Sequence, residues 1–111
     1  MQVLERGRRK AKNIFDRFKR KIEVESLWIY VAHILSKGPK SVSEIRAALR
    51  EIHGITVPTI TLYSVIYRME KEGLVKRKEE EPTKYMLTSY GELMFKKSLL
   101  LLEERIMLLK Q

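Results

Sequence analysis

Thr61-Leu62-Tyr63-Ser64-Val65-Ile66-Tyr67-Arg68-Met69-Glu70-Lys71-Glu72-Gly73-Leu74-Val75 is the stretch on which the reading of this chain turns. Leu62, Val65, Ile66 and Met69 recur at i, i+3, i+4 and i+7, so they share one face of a helix. Thr61, Ser64, Tyr67, Arg68 and Lys71 lie away from that face. Gly73 supplies a left-handed cap, and a strand follows it. A helix buried on one side, with hydroxyls and cations on the other, suits insertion into the major groove of DNA.

The flanking chain extends the pattern in both directions. Pro58 fits the first turn of this helix, where its missing N–H costs nothing, so the helix spans 58–72. Upstream, Ser41-Val42-Ser43-Glu44 is a capping box that opens a helix buried through Ile45, Ala48, Leu49 and Ile52 and closed by Gly54. Before it, Leu27, Val31, Ile34 and Leu35 predict a helix over 24–36 that stops at Gly38-Pro39. Residues 2–22 read as an amphipathic helix with Ile14, Phe15, Phe18 and Ile22 on one side; nothing over 19–25 clearly separates it from the next helix. Downstream, 74–79 and 83–87 predict two strands joined at Glu80-Glu81-Pro82. Ser89-Tyr90-Gly91-Glu92 reads as a second capping box, opening a helix that runs to the C-terminus.

Charge is distributed unevenly. The 111 residues carry a formal net charge of +9, which points to a polyanionic partner. Residues 1–21 hold nine Lys/Arg against Glu5 and Asp16, a balance of +7; the other ninety hold fourteen bases and twelve acids, a balance of +2. There is no cysteine, which excludes disulfides and thiolate chemistry. The basic N-terminus lacks the apolar core of a secretory signal. The aliphatic runs 99–102 and 106–109 fall far short of the roughly 20 residues of a membrane span. These features predict a soluble, cytoplasmic, nucleoid-associated protein. Only three amides occur among 111 residues, a thermophile-like trait that five methionines offset.

The last helix repeats differently. Phe95, Leu99, Leu102, Ile106 and Leu109 are spaced 4-3-4-3, a coiled-coil seam, with Leu100, Leu101, Met107 and Leu108 on other sides. A terminal helix apolar nearly all round requires a cover, and a second copy of the chain is the economical one.

With these elements in order, the chain resembles the PadR-like family of winged-helix transcriptional regulators. The resemblance rests on Thr61-Leu62-Tyr63 opening the key helix, on Met69-Glu70-Lys71-Glu72-Gly73-Leu74 leaving it, and on Lys84-Tyr85-Met86-Leu87-Thr88-Ser89-Tyr90-Gly91 after the hairpin. It covers about 24–110. It implies a mainly α fold with a small β-hairpin: a winged helix-turn-helix domain over 23–88 and a dimerisation helix over 89–111; the basic N-terminal helical arm over 1–22, read from the residues themselves, exceeds the family's usual short lead-in. The resemblance further implies a homodimer on double-stranded DNA, with 58–72 as recognition helix and 74–87 as wing. Some relatives hold planar drugs between tryptophans of the C-terminal helix. Trp28 is the single tryptophan and lies well before it, which argues against that route.

Candidate DNA contacts on the recognition helix are Thr59, Thr61, Tyr63, Ser64, Tyr67, Arg68 and Lys71. Arg68 is best suited to grip a guanine bidentately. Against this, Arg68 and Lys71 read equally as solvated cations, and Tyr63 and Tyr67 as half-buried packing. Lys76, Arg77, Lys78 and Lys84 of the hairpin are placed to track phosphates, while Glu79-Glu80-Glu81 turns the tip away from them. The arm admits phosphate contacts, packing beneath the C-terminal helix or a membrane surface; the expected combination has Arg8, Arg9, Lys10 and Lys12 facing DNA while Ile14, Phe15 and Phe18 pack. A membrane role for the arm is disfavoured by its short apolar stripe. His33 and His53 have no partner at metal-ligand spacing and read as structural. No catalytic constellation or cofactor motif occurs, so no metal, cofactor or enzyme activity is expected. Three functions follow: a dimeric sequence-specific regulator, a nonspecific chromatin-like DNA coater, and a protein-interaction module.

Overall fold

Asn13 starts the first described helix, its side-chain oxygen accepting the N–H of Asp16 at 2.8 Å. The computed structural model describes residues 13–111, so the expected contacts of Arg8, Arg9, Lys10 and Lys12 lie outside the described residues. Helix α1, Ile14–Arg20, runs directly into a π-helical turn, Lys21–Glu25, and the chain breaks at Ser26 (φ −109°, ψ 27°). Helix α2 then spans Leu27–Leu35. The boundary left open by the sequence thus falls at one residue. Tyr30 braces it by donating its hydroxyl to the carbonyl of Ile22 at 3.1 Å. Ile14, Phe15 and Phe18 find no covering surface among the described residues: they are 76%, 63% and 58% exposed, contrary to expectation.

Glycine at φ +133° (Gly38) ends the turn after α2, and a two-residue strand β1, Lys40–Ser41, leads into α3, Val42–His53. The capping box is as expected: Ser41 Oγ accepts from the Glu44 N–H and Glu44 Oε1 accepts from the Ser41 N–H. That second bond holds the Glu44 carboxyl below its usual range. Helix α4, Thr59–Lys71, is preceded by Pro58. Pro58 is the N-cap, not a first-turn residue: its ψ of 147° is extended, and its carbonyl accepts the Thr61 and Leu62 N–H groups. At the other end Leu74 N–H bonds Met69 O at 2.8 Å across Gly73 (φ +81°), the bond that only a left-handed residue permits here.

Strands β2 (Val75–Lys78) and β3 (Lys84–Leu87) pair antiparallel, Val75 opposite Leu87 and Lys78 opposite Lys84. The hairpin gains a third strand that the sequence reading lacked, because β1 pairs on the far edge of β3, with Lys40 opposite Tyr85. Two residues beside a proline carry no alternation to read. Leu27, Val31, Ile34, Ile45, Leu49, Leu62, Ile66 and Met69 form the heart of the core.

Helix α5 spans Ser89–Leu109, and its cap is Thr88, not Ser89. Thr88 Oγ1 accepts the Gly91 N–H at 2.9 Å and points its own proton at the carbonyls of Gly73 (2.6 Å) and Leu74 (3.1 Å). Glu92 therefore closes no capping box and instead lies 4.0 Å from Lys96. One hydroxyl ties the end of α4 to the start of α5.

The fold also makes partners of the two histidines. His33 Nδ1 lies 2.9 Å from His53 Nε2, with Tyr30 and Phe95 against the rings. The bond needs a proton on one nitrogen and a lone pair on the other, so protonating both rings breaks it. Burial first, and His33 second, push the His53 pKa down from 6.5. A base with a depressed folded pKa leaves the unfolded chain binding more protons below about 6.5, so stability falls as pH drops through that value. The melting temperature is expected to fall between pH 8 and pH 5, and more shallowly in His53→Gln; parallel curves would remove the histidine pair as the cause.

Candidate nucleic-acid interface

One ridge of α4 faces the core through Leu62, Val65, Ile66 and Met69, which leaves the opposite arc to solvent. At 3.6 residues per turn that arc divides into two flanks. On one, Thr59 and Tyr63 line a cleft with Ser43, Arg46 and Arg50 of α3. On the other, Thr61, Ser64 and Arg68 line a groove of about 880 Å³ walled by Trp28 of α2 and by Tyr90 and Met94 of α5. Residues that the sequence placed on one surface therefore belong to two.

The tyrosines settle on the solvent side. Tyr63 is 52% and Tyr67 59% exposed, so neither is core packing. Lys71 holds its amine 5.5 Å from the centre of the Tyr67 ring, which gathers a cation and a phenol hydroxyl on one patch. Arg68 is exposed but faces the groove.

The wing meets the α3-side flank. Arg77 of β2 donates to Glu70 of α4 through Nε (3.3 Å) and Nη2 (3.1 Å). This bidentate bond is the main reason its guanidinium pKa lies above the ordinary value. Lys78 reaches Glu80 at 3.2 Å and Lys84 reaches it at 4.0 Å. Glu80 of the tip therefore holds Lys78 and Lys84 of the strands. Exposed pairs of this kind contribute only about 0–1 kcal/mol, so a phosphate can replace the carboxylate with little loss. Lys76 alone among the four wing cations has no ion-pair partner among the described residues.

Arg46 and Arg50 were missed by sequence reasoning, which took from their helix only its buried face. Their signal was available: cations at i and i+4, off the face of Ile45 and Leu49. Arg46 is fixed by a 3.4 Å bond from Nε to the Val57 carbonyl. Ile60 was also missed, and stands 78% exposed at the start of α4.

On α5, Phe95 is half-buried against the core and near His33. Leu99, Leu102, Ile106 and Leu109 are 38%, 49%, 51% and 83% exposed. No described helix is long and apolar enough to cross a membrane, and no cluster of three metal-ligating side chains occurs among the described residues.

The sequence profile of the Transcriptional regulator PadR-like family matches residues 31–97. No curated protein sequence matches. Among solved structures, the chain is similar to a transcriptional regulator from Clostridium thermocellum, with 23% identity and a TM-score of 0.70 over 81% of this chain and 95% of that one. It is similar to RosR of H. salinarum, with 23% identity and a TM-score of 0.61 over 69% and 72%. Bacillus subtilis PadR, solved in complex with operator DNA, is similar at 20% identity and a TM-score of 0.58 over 67% and 46%. At these identities the structural likeness is one of fold.

Proposed function

The chain belongs to the PadR-like family of transcriptional regulators, and on that footing we propose that it is a repressor that binds duplex DNA as a homodimer. The observation that carries this reading is that Tyr63 of α4 shares a cleft with Arg46 and Arg50 of α3, while Tyr67 and Lys71 stand exposed on the same helix and Glu70 ties the wing to it through Arg77. In the complex, α4 lies in the major groove with Thr59, Tyr63, Tyr67 and Lys71 toward the DNA. Arg46, Arg50, Lys76 and Arg77 hold phosphates on either side. These residues carry the proposal better than Thr61, Ser64 and Arg68, which face the groove. Bacillus subtilis PadR, of the same fold, is solved with operator DNA.

The exposed stripe of α5 and the exposed Ile14, Phe15 and Phe18 of α1 supply apolar surface for a second copy. A two-fold dimer implies half-sites about 34 Å apart and repression by occupying promoter DNA. The +7 charge of residues 1–21 favours one other reading, a nonspecific coater of DNA.

Fluorescence anisotropy decides between them, using a duplex from the gene's own upstream region and a shuffled duplex, each titrated across salt. A preference of about 1000-fold supports the regulator. Equal affinities with the same steep salt slope support the coater, and no binding at low salt leaves a protein-interaction module. In the same assay Lys76→Ala is expected to flatten the salt slope by about 0.9 for each phosphate that is no longer neutralised, with sequence preference unchanged. An unaltered slope would place Lys76 off the DNA.

A further inference from the structure

We infer that Ile60 is a specificity residue that reads the 5-methyl group of thymine in the major groove, an inference that rests on the DNA-binding reading above. Ile60 is the second residue of α4 and 78% exposed; of the large described hydrophobic residues, only Leu109 near the chain end is more exposed. It does not belong to the buried ridge. With Tyr67 and Lys71 it falls at i, i+7 and i+11, on the outward side of the helix, while Ser64 at i+4 turns to the groove. Although it stands at the lip of the groove walled by Trp28 and Met94, the buried floor there is made by Leu27, Val65 and Met69.

An isoleucine in that place has no polar group with which to contact phosphate or a base edge. Its β-branched side chain is stiff in a helix, so it presents a fixed apolar knob. Covering such a knob is favourable only against another apolar surface. On the base edges of the major groove, the one such group is the thymine methyl. Residues in the first turn of a recognition helix are also the ones that reach base edges. Thr59 and Thr61 on either side are short and leave the knob proud of the surface.

The test uses a duplex selected by the full-length protein from a random-sequence pool. Each thymine is replaced in turn by deoxyuridine, which deletes the methyl group and nothing else. At one thymine per half-site, deoxyuridine is expected to weaken the wild-type protein about 4-fold, the worth of one buried methyl group. Ile60→Ala is expected to bind thymine and uracil duplexes equally, and light scattering should give it the wild-type mass. If every deoxyuridine duplex binds wild type and Ile60→Ala with the same ratio, the assignment is wrong. If Ile60→Ala changes the oligomeric mass, Ile60 belongs to a protein interface and the assignment is again wrong. A selection that returns no preferred sequence removes the regulator reading itself, and this inference with it.

Discussion

Gly91→Ala is expected to be among the most damaging single substitutions in the molecule. A Cβ built on Gly91 would overlap the carbonyl oxygen of Leu74 and stand 2.9 Å from its carbon and 3.1 Å from its Cα. These are backbone atoms, so no side chain can rotate away. Leu74 O is itself fixed, accepting the Thr88 N–H at 3.0 Å and facing the Thr88 hydroxyl. Relief requires α5 to move off the end of α4, and that breaks the bonds that cap it. Overpacking of this kind costs about 3 kcal/mol. In a domain of this size that corresponds to a fall in Tm of roughly 10–25 °C. Glu92→Ala, on the exposed side of the same turn, is the control and should melt within about 2 °C of wild type. A Gly91→Ala protein that melts with the control would mean that the two helices are not locked at this point.

The same junction shows how far the sequence could be read. Leu87-Thr88-Ser89-Tyr90-Gly91 was recognisable as a motif, yet its physical meaning was hidden. The threonine works between segments fourteen and fifteen residues apart, and the glycine is required by a backbone that local pattern cannot locate. Features set by local chemistry were legible: the capping box at Ser41, the helix-ending glycines 54 and 73, and the buried ridge of α4. Features created by tertiary contact were not. β1 is a strand only because β3 lies beside it. The histidines, twenty residues apart, pair only when α2 and α3 pack. The binding face was half legible for the same reason. Periodicity separates inside from outside but cannot say which exposed flank of α4 meets α3 and the wing and which meets Trp28 and Met94.

Ile106→Glu is expected to abolish the proposed dimer and, with it, most of the affinity for operator DNA. From Leu99 onward every residue of α5 is exposed in the protomer, although Leu99, Leu102, Ile106 and Leu109 keep the spacing of a coiled-coil seam. An apolar stripe of this length left in water has no folding benefit within the chain, which is why we assign it to a second copy. A carboxylate at the third of its four exposed positions would be buried without a partner, a cost that a marginal coiled-coil contact does not survive. Light scattering should then return the 13.2 kDa mass of one chain at micromolar concentration, against twice that for wild type. Two linked half-site contacts exceed one by about 100-fold or more, so the operator affinity should fall by that factor. Affinity for a single half-site should be unchanged, because Ile106 lines neither the cleft between α4 and α3 nor the groove between α4 and α5. Glu104→Ala, off the seam, should keep both mass and affinity. If Ile106→Glu stays dimeric and binds normally, the copies meet elsewhere, and the exposed Ile14, Phe15 and Phe18 of α1 become the surface to alter next.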